Sequence, residues 1–93
     1  MRRDEMSDLI AFLAVAEERS FTRAAARLGT SQSAVSAVVR RLEERMDVRL
    51  LTRTTRSVSP TEAGQRLVDT LRPAFDDIEA QLAAMDEMRS RPS

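Results

Sequence analysis

The 93-residue chain has no cysteine and no histidine, and lysine and tyrosine are missing as well. Without cysteine neither a disulfide nor a thiolate metal site can form, and without histidine a transition-metal site would need carboxylates alone. The same absences remove most of the usual catalytic bases and nucleophiles, so an enzyme is a poor fit, and no cofactor or metal is implied. Long apolar runs are also lacking. None approaches the roughly 20 residues that cross a bilayer, and "MRRDEM" leads into acidic residues rather than a signal-peptide core. The expectation is a soluble, cytoplasmic protein without membrane contact, forming one domain near the lower size limit for an adequate core.

What is present is charge, unevenly placed. The formal net charge is zero, yet residues 1–20 carry three Arg and five acids (−2), residues 21–59 eight Arg and three acids (+5), and residues 60–93 four Arg and seven acids (−3). All 15 basic residues are arginine, whose planar fork suits bidentate bonds to phosphate and guanine. A basic middle between acidic flanks fits double-stranded DNA as a partner.

From Met6 to Glu18, "MSDLIAFLAVAEE" sets Met6, Leu9, Leu13 and Ala16 at helical spacing, with Ile10 and Phe12 alongside, and predicts a first helix. Ser20 then precedes "FTRAAARL", a short second helix that Ser20 can cap and Gly29 can close. Only Thr30 and Ser31 remain before a third helix over Gln32 to Met46, with Ser31 as N-cap and Val35, Val38, Val39, Leu42 and Met46 as its apolar stripe. Helices joined by so short a glycine-containing link turn sharply, as in a helix-turn-helix. The β-branched stretch "VRLLTRTTRSVSPT" predicts a hairpin, Leu50 to Arg53 with Ser57 to Ser59. Pro60 and Thr61 open a long helix in which Gly64, Val68, Leu71, Phe75, Ile78, Leu82 and Met85 follow spacings of 4, 3, 4, 3, 4, 3. Such a helix spans roughly 40 Å, more than so small a core covers, so its distal half calls for a partner. The tail "RSRPS", from Arg89 to Ser93, reads as disordered.

Binding chemistry falls in three places. Opposite its valines the third helix carries Ser33, Ser36, Ala37 and Arg40. A helix enters the major groove only with a slim leading face. There Gln32 can pair with adenine, Ser33 and Ser36 with base edges or phosphates, the Ala37 methyl with a thymine methyl, and Arg40 with guanine or phosphate. The hairpin offers Arg53, Thr54, Thr55 and Arg56. Arginine on a ribbon suits the negative potential of a narrow minor groove, with Arg56 better placed for a phosphate. Thr22, Arg23 and Arg27 on the second helix, and Thr30 and Ser31 in the turn, are candidates for the DNA backbone, Arg27 being equally readable as a solubilising charge. The plain alternatives are a solvated helix face and an ordinary charged turn. Asp76, Asp77 and Glu79, on an exposed helix without a pocket, read as a solvated face rather than an acid–base pair.

The stretches "FLAVAEERSFTRAAARL", "SQSAVSAVVRRLEERMDVRLL" and "TRTTRSVSPTEAG", with the amphipathic helix that follows, resemble the N-terminal DNA-binding domain of LysR-type transcriptional regulators over roughly Met6 to Met88. The resemblance implies a mainly α fold: a winged helix-turn-helix with a short two-stranded β wing (residues 1–60), a long C-terminal linker or dimerisation helix (61–88), and a tail (89–93). It also implies sequence-specific DNA binding in bacterial transcription, with Arg53 toward the minor groove. The protein would be a homodimer, its interface Leu71, Phe75, Ile78, Leu82 and Met85, and a small-molecule effector would act only through a domain absent from this chain. Departures from the family pattern are Ser33 in place of proline, Ala37 and Val38 in place of longer polar residues, and Asp47 in place of glycine. The competing reading keeps the fold but makes it a protein-interaction module centred on the linker helix.

Overall fold

Local signals place the helices. In the computed structural model, which describes residues 2–90, α1 spans Arg3–Glu18 and starts three residues before the expected Met6, with Asp4 and Glu5 favourable at its positive end. Helix α2 is Phe21–Leu28, and the Ser20 hydroxyl accepts from the Arg23 N–H at 3.1 Å. Gly29 closes it at φ 71°, left-handed backbone that glycine adopts without a Cβ penalty. Helix α3 is Gln32–Met46, capped by Ser31, whose hydroxyl accepts from the Ala34 N–H at 3.1 Å. It ends at Asp47 with φ 53°, a left-handed position where Asp is better tolerated than most residues.

The core lies where α1, α2 and α3 cross. Phe12, Val15, Val35, Val39, Leu42, Leu50 and Leu51 are fully buried, and Ala24 and Ala25 allow α2 a close approach. Two apolar stripes are narrower than expected. Met6 and Ile10 lie at the margin of the buried face of α1, exposed by 39% and 42%. On α3 the stripe is Val35, Val39 and Leu42; Val38 is half-buried, and Met46 faces an open hollow beside Val48 and Leu67.

One polar group is buried with the core. Asp8 on α1 is 1% exposed and accepts from Arg41 at 2.9 Å and Arg45 at 2.8 Å, tying α1 to the second half of α3. Burial alone would raise its carboxyl pKa, but the two guanidinium hydrogen bonds and charges outweigh it and hold the group below its ordinary 3.8.

The first strand of the hairpin starts one residue later than expected, and the second lies one residue further on. Strand β1 is Leu51–Arg53 and β2 is Val58–Pro60, antiparallel with Leu51 opposite Pro60, Thr52 opposite Ser59 and Arg53 opposite Val58. Leu50 lies one step before the ladder: its N–H donates to the Glu43 carboxylate at 2.8 Å, and its carbonyl accepts from the Thr61 N–H at 3.0 Å, next to the Leu51–Pro60 pair. Ser57 belongs to the turn, where its N–H and C=O both bond Thr54.

Helix α4, Glu62–Ser90, is capped by Thr61, whose hydroxyl accepts from the Gly64 N–H at 3.1 Å. Gly64 is buried, and any Cβ there would collide with the Leu50 carbonyl oxygen, so glycine is what lets α4 press on the start of β1. The helix continues unbroken through Pro73 and beyond Met88. Arg89 and Ser90, expected in a disordered tail, are therefore helical; residues 91–93 lie outside the described residues. The projecting α4 gives the molecule its extents of 55 × 24 × 21 Å.

Candidate nucleic-acid interface

The turn between α2 and α3 leaves the opening of α3 exposed, and its polar side chains are held in place. Thr22 Oγ1 donates to Gln32 Oε1 at 3.2 Å. The Ser31 hydroxyl, besides capping α3, lies 3.3 Å from that of Ser33. Ser36 Oγ accepts from Arg53 Nη1 at 3.4 Å. Gln32, Ser33, Ala37 and Arg40 are exposed along the same helix, and Thr30 is fixed in the turn by its N–H to the Ala25 carbonyl at 3.0 Å. The hydroxyls of Thr22 and Ser31, expected at the DNA backbone, are thus engaged in orienting Gln32 and capping α3.

The wing is equally organised. Thr54 Oγ1 accepts from the N–H groups of Arg56 and Ser57, while the Thr54 N–H donates to the Ser57 carbonyl at 2.9 Å, closing the turn. Thr54 is therefore committed to the loop, and Thr55 and Arg56 form the exposed tip. Arg53 does not project. Its guanidinium lies 4.4 Å from the Phe21 ring centre and donates to Ser36, so it bridges the wing to the starts of α2 and α3. At the base of the wing the Glu43 carboxylate accepts from the N–H groups of Leu50 and Leu51, at 2.8 and 3.2 Å. Sequence reading misses these clamps because their partners lie 7 to 32 residues apart; the one visible hint is an aromatic at the start of α2.

The arginines divide into two populations. Arg27 pairs with Glu17 and Glu18, Arg41 and Arg45 with Asp8, Arg66 with Glu62, Arg72 with Glu17, Asp76 and Glu79, and Arg89 with Asp86. Among the described residues Arg23, Arg40, Arg49, Arg53 and Arg56, from α2, α3 and the wing region, have no acidic partner within ion-pair distance, as do Arg2, Arg3 and Arg19. Zero net charge is thus compatible with a cationic face. The acids of α1 and α4 pair with Arg27, Arg41, Arg45, Arg66, Arg72 and Arg89, which among the described residues leaves Arg23, Arg40, Arg49 and Arg56 without an acidic partner. Arg40, Arg49 and Arg53 line one open cleft of about 490 Å³, with Glu43, Glu44 and Asp47 on its wall.

The linker helix presents a different surface. Leu71 is only 8% exposed and belongs to the protein's own core. Its place on the seam is where α4 lies against α1. Phe75 is half-buried against that core, whereas Ile78, Leu82 and Met85 are 50%, 58% and 59% exposed. Phe75 and Ile78, with Ile10 and Leu28, line an open groove of about 300 Å³. Arg72 crosses from α4 to α1, meeting Glu17 with one guanidinium nitrogen 3.0 Å from each carboxylate oxygen. Among the described residues no group of three or more acidic side chains is arranged to hold a metal ion, and no helix is long and apolar enough to cross a membrane.

A sharp turn between α2 and α3, an open slim face on α3, a hairpin clamped beside it and a long C-terminal helix define a winged helix-turn-helix protein with a linker helix. The model of the bacterial regulatory helix-turn-helix proteins of the lysR family matches residues 6–65, and the chain belongs to that family. It is 59% identical over 93 residues to the HTH-type transcriptional regulator PgrR of Escherichia coli K12, covering 100% of this chain and 31% of PgrR. The chain thus spans about a third of the length of that relative. Among solved structures it is similar to the BenM_DBD/catB site 1 DNA complex, with a TM-score of 0.79 and 28% identity over 95% of this chain and 98% of that one. Oxidized Corynebacterium glutamicum OxyR gives a TM-score of 0.78 and 32% identity, over 90% of this chain and 27% of that one.

Proposed function

We propose that this chain is the sequence-specific DNA-binding module of a bacterial LysR-type regulator and that it binds duplex DNA as a homodimer. The observation that carries the reading is the slim opening of α3 set among arginines with no acidic partner, Arg40, Arg53 and Arg56. Gln32, Ser33, Ser36, Ala37 and Arg40 face the major groove, where small side chains let the helix approach base edges. Arg56 at the wing tip meets the DNA backbone, while Arg53, stacked on Phe21 and bonded to Ser36, steadies the wing against α3. Arg23 and Thr30 flank the helix on its phosphate side. The similarity to a domain solved on catB site 1 DNA supports this assignment.

The exposed Ile78, Leu82 and Met85, continued by the Phe75 groove, supply an apolar strip for a second α4. Two copies related by a two-fold axis would place two recognition helices on an interrupted inverted repeat. The effector acts through a further domain of the cytoplasmic regulator. A salt titration with an operator duplex and a random duplex tests the reading: with about eight phosphate contacts per dimer, log affinity falls against log salt with a slope near −7, and the operator stays preferred. Equal affinity for the two duplexes at moderate salt would refute specific reading.

A further inference from the structure

The hydrogen bond between Thr22 and Gln32 defines a role for a residue outside the recognition helix. Ser20 already caps α2, which leaves the Thr22 hydroxyl free of that task. Its single proton goes to Gln32 Oε1 at 3.2 Å, across the turn from α2 to the first residue of α3. A phosphate oxygen accepts hydrogen bonds and donates none, so while this bond stands the hydroxyl has no proton for the DNA backbone. The bond also fixes which end of the Gln32 amide is occupied. With Oε1 turned to Thr22, the two N–H donors on Nε2 are the part left for DNA.

We infer that Thr22 is a specificity-determining positioning residue that holds Gln32 as a donor, so that this position of the operator favours an acceptor edge. The matching edges in the major groove are guanine O6 and N7 or thymine O4, whereas adenine offers a donor beside its acceptor and is best read by an amide with both ends free. The inference rests on the proposal that α3 reads DNA, and it goes further by naming the base chemistry and the residue that sets it. Thr22 and Gln32 are both exposed, so the pair can be altered without opening the core.

The test uses the wild-type chain, Thr22→Val, Thr22→Ser, Gln32→Ala and the double variant Thr22→Val with Gln32→Ala. Each is titrated on the wild-type operator, selected from random duplexes, and on versions changed at the base pair where Gln32→Ala alters preference. Valine keeps the shape and removes the proton; serine keeps the proton. Thr22→Val is expected to lose about tenfold in discrimination at that base pair, with preference moving toward adenine, while the salt slope stays unchanged. Thr22→Ser retains the wild-type preference, and the double variant matches Gln32→Ala alone, as expected for residues acting in series.

A Thr22→Val variant that weakens all sequences equally and reduces the salt slope by about one would make Thr22 a phosphate contact and overturn the inference. Unchanged discrimination would overturn it too, as would additive effects in the double variant. A wild-type chain without preference for any duplex is a separate result, which would remove the proposed function itself.

Discussion

Replacing Asp8 by Asn tests how α3 is anchored to α1. Asp8 accepts from Arg41 at 2.9 Å and Arg45 at 2.8 Å while itself 1% exposed, so one carboxylate joins α1 to two turns of α3. Asparagine preserves the size but keeps only one acceptor oxygen, and its amide then faces a guanidinium, donor against donor. A hydrogen bond to a charged group contributes about 1.5–3 kcal/mol. The side chains of Arg41 and Arg45 are 56% and 33% exposed, so they recover hydration when released, which lowers the cost of Asp8→Asn to about 2 kcal/mol. For a domain of this size that is a fall in Tm of roughly 8–16 °C, read by far-UV circular dichroism at equal protein concentration. The pH dependence has a definite sign. The folded-state pKa of Asp8 is depressed, so its contribution is fully present above the ordinary 3.8 and is lost as pH falls through that value and the lower folded one. The wild type therefore loses this stability on acidification below about pH 4, and Asp8→Asn lacks that component. An Asp8→Asn protein melting within about 2 °C of wild type, with the same low-pH slope, would refute the anchoring role.

Other residues give equally direct expectations. Gly64→Ala drives a methyl into the Leu50 carbonyl and should destabilise the fold by about 1–3 kcal/mol, seen as a lower midpoint in urea. Glutamate at both Ile78 and Leu82, each at least half exposed, should leave secondary structure intact while sedimentation shows monomers at concentrations where the wild type is dimeric. Arg40→Ala should relax preference at one base pair per half-site by about 1–3 kcal/mol, whereas Arg56→Ala should weaken all sequences alike and lower the salt slope.

Much of the architecture is legible in sequence because it is locally encoded. Ser20, Ser31, Thr61 and Gly29 act on N–H groups or backbone angles within a few residues, so the ends of α2 and α3 and the start of α4 follow from them directly. The phase of the apolar stripes is less secure. Met6, Ile10 and Met46 match the spacing yet lie at margins, because burial depends on where a neighbouring helix stops. The base of the hairpin is held by Glu43, a partner on another element, which the strand's own sequence does not show. The slim face of α3 and the wing arginines are equally visible in the sequence. Which hydroxyls are already engaged, and that Arg53 rests on Phe21, arise only from tertiary contacts. Asp8 reads as one more surface acid until Arg41 and Arg45 fold over it. The zero net charge misleads for the same reason, since it cannot distinguish paired arginines from unpaired ones.

Selection of bound sites from a random duplex library, starting from the purified wild-type chain, decides whether α3 reads DNA sequence. Specific reading by a two-fold dimer should enrich a single motif with two half-sites in inverted orientation and an interrupted centre. Base preference at the half-sites should weaken in Arg40→Ala and Gln32→Ala. Recovered duplexes with no common motif, or a motif indifferent to both substitutions, would contradict specific reading by α3.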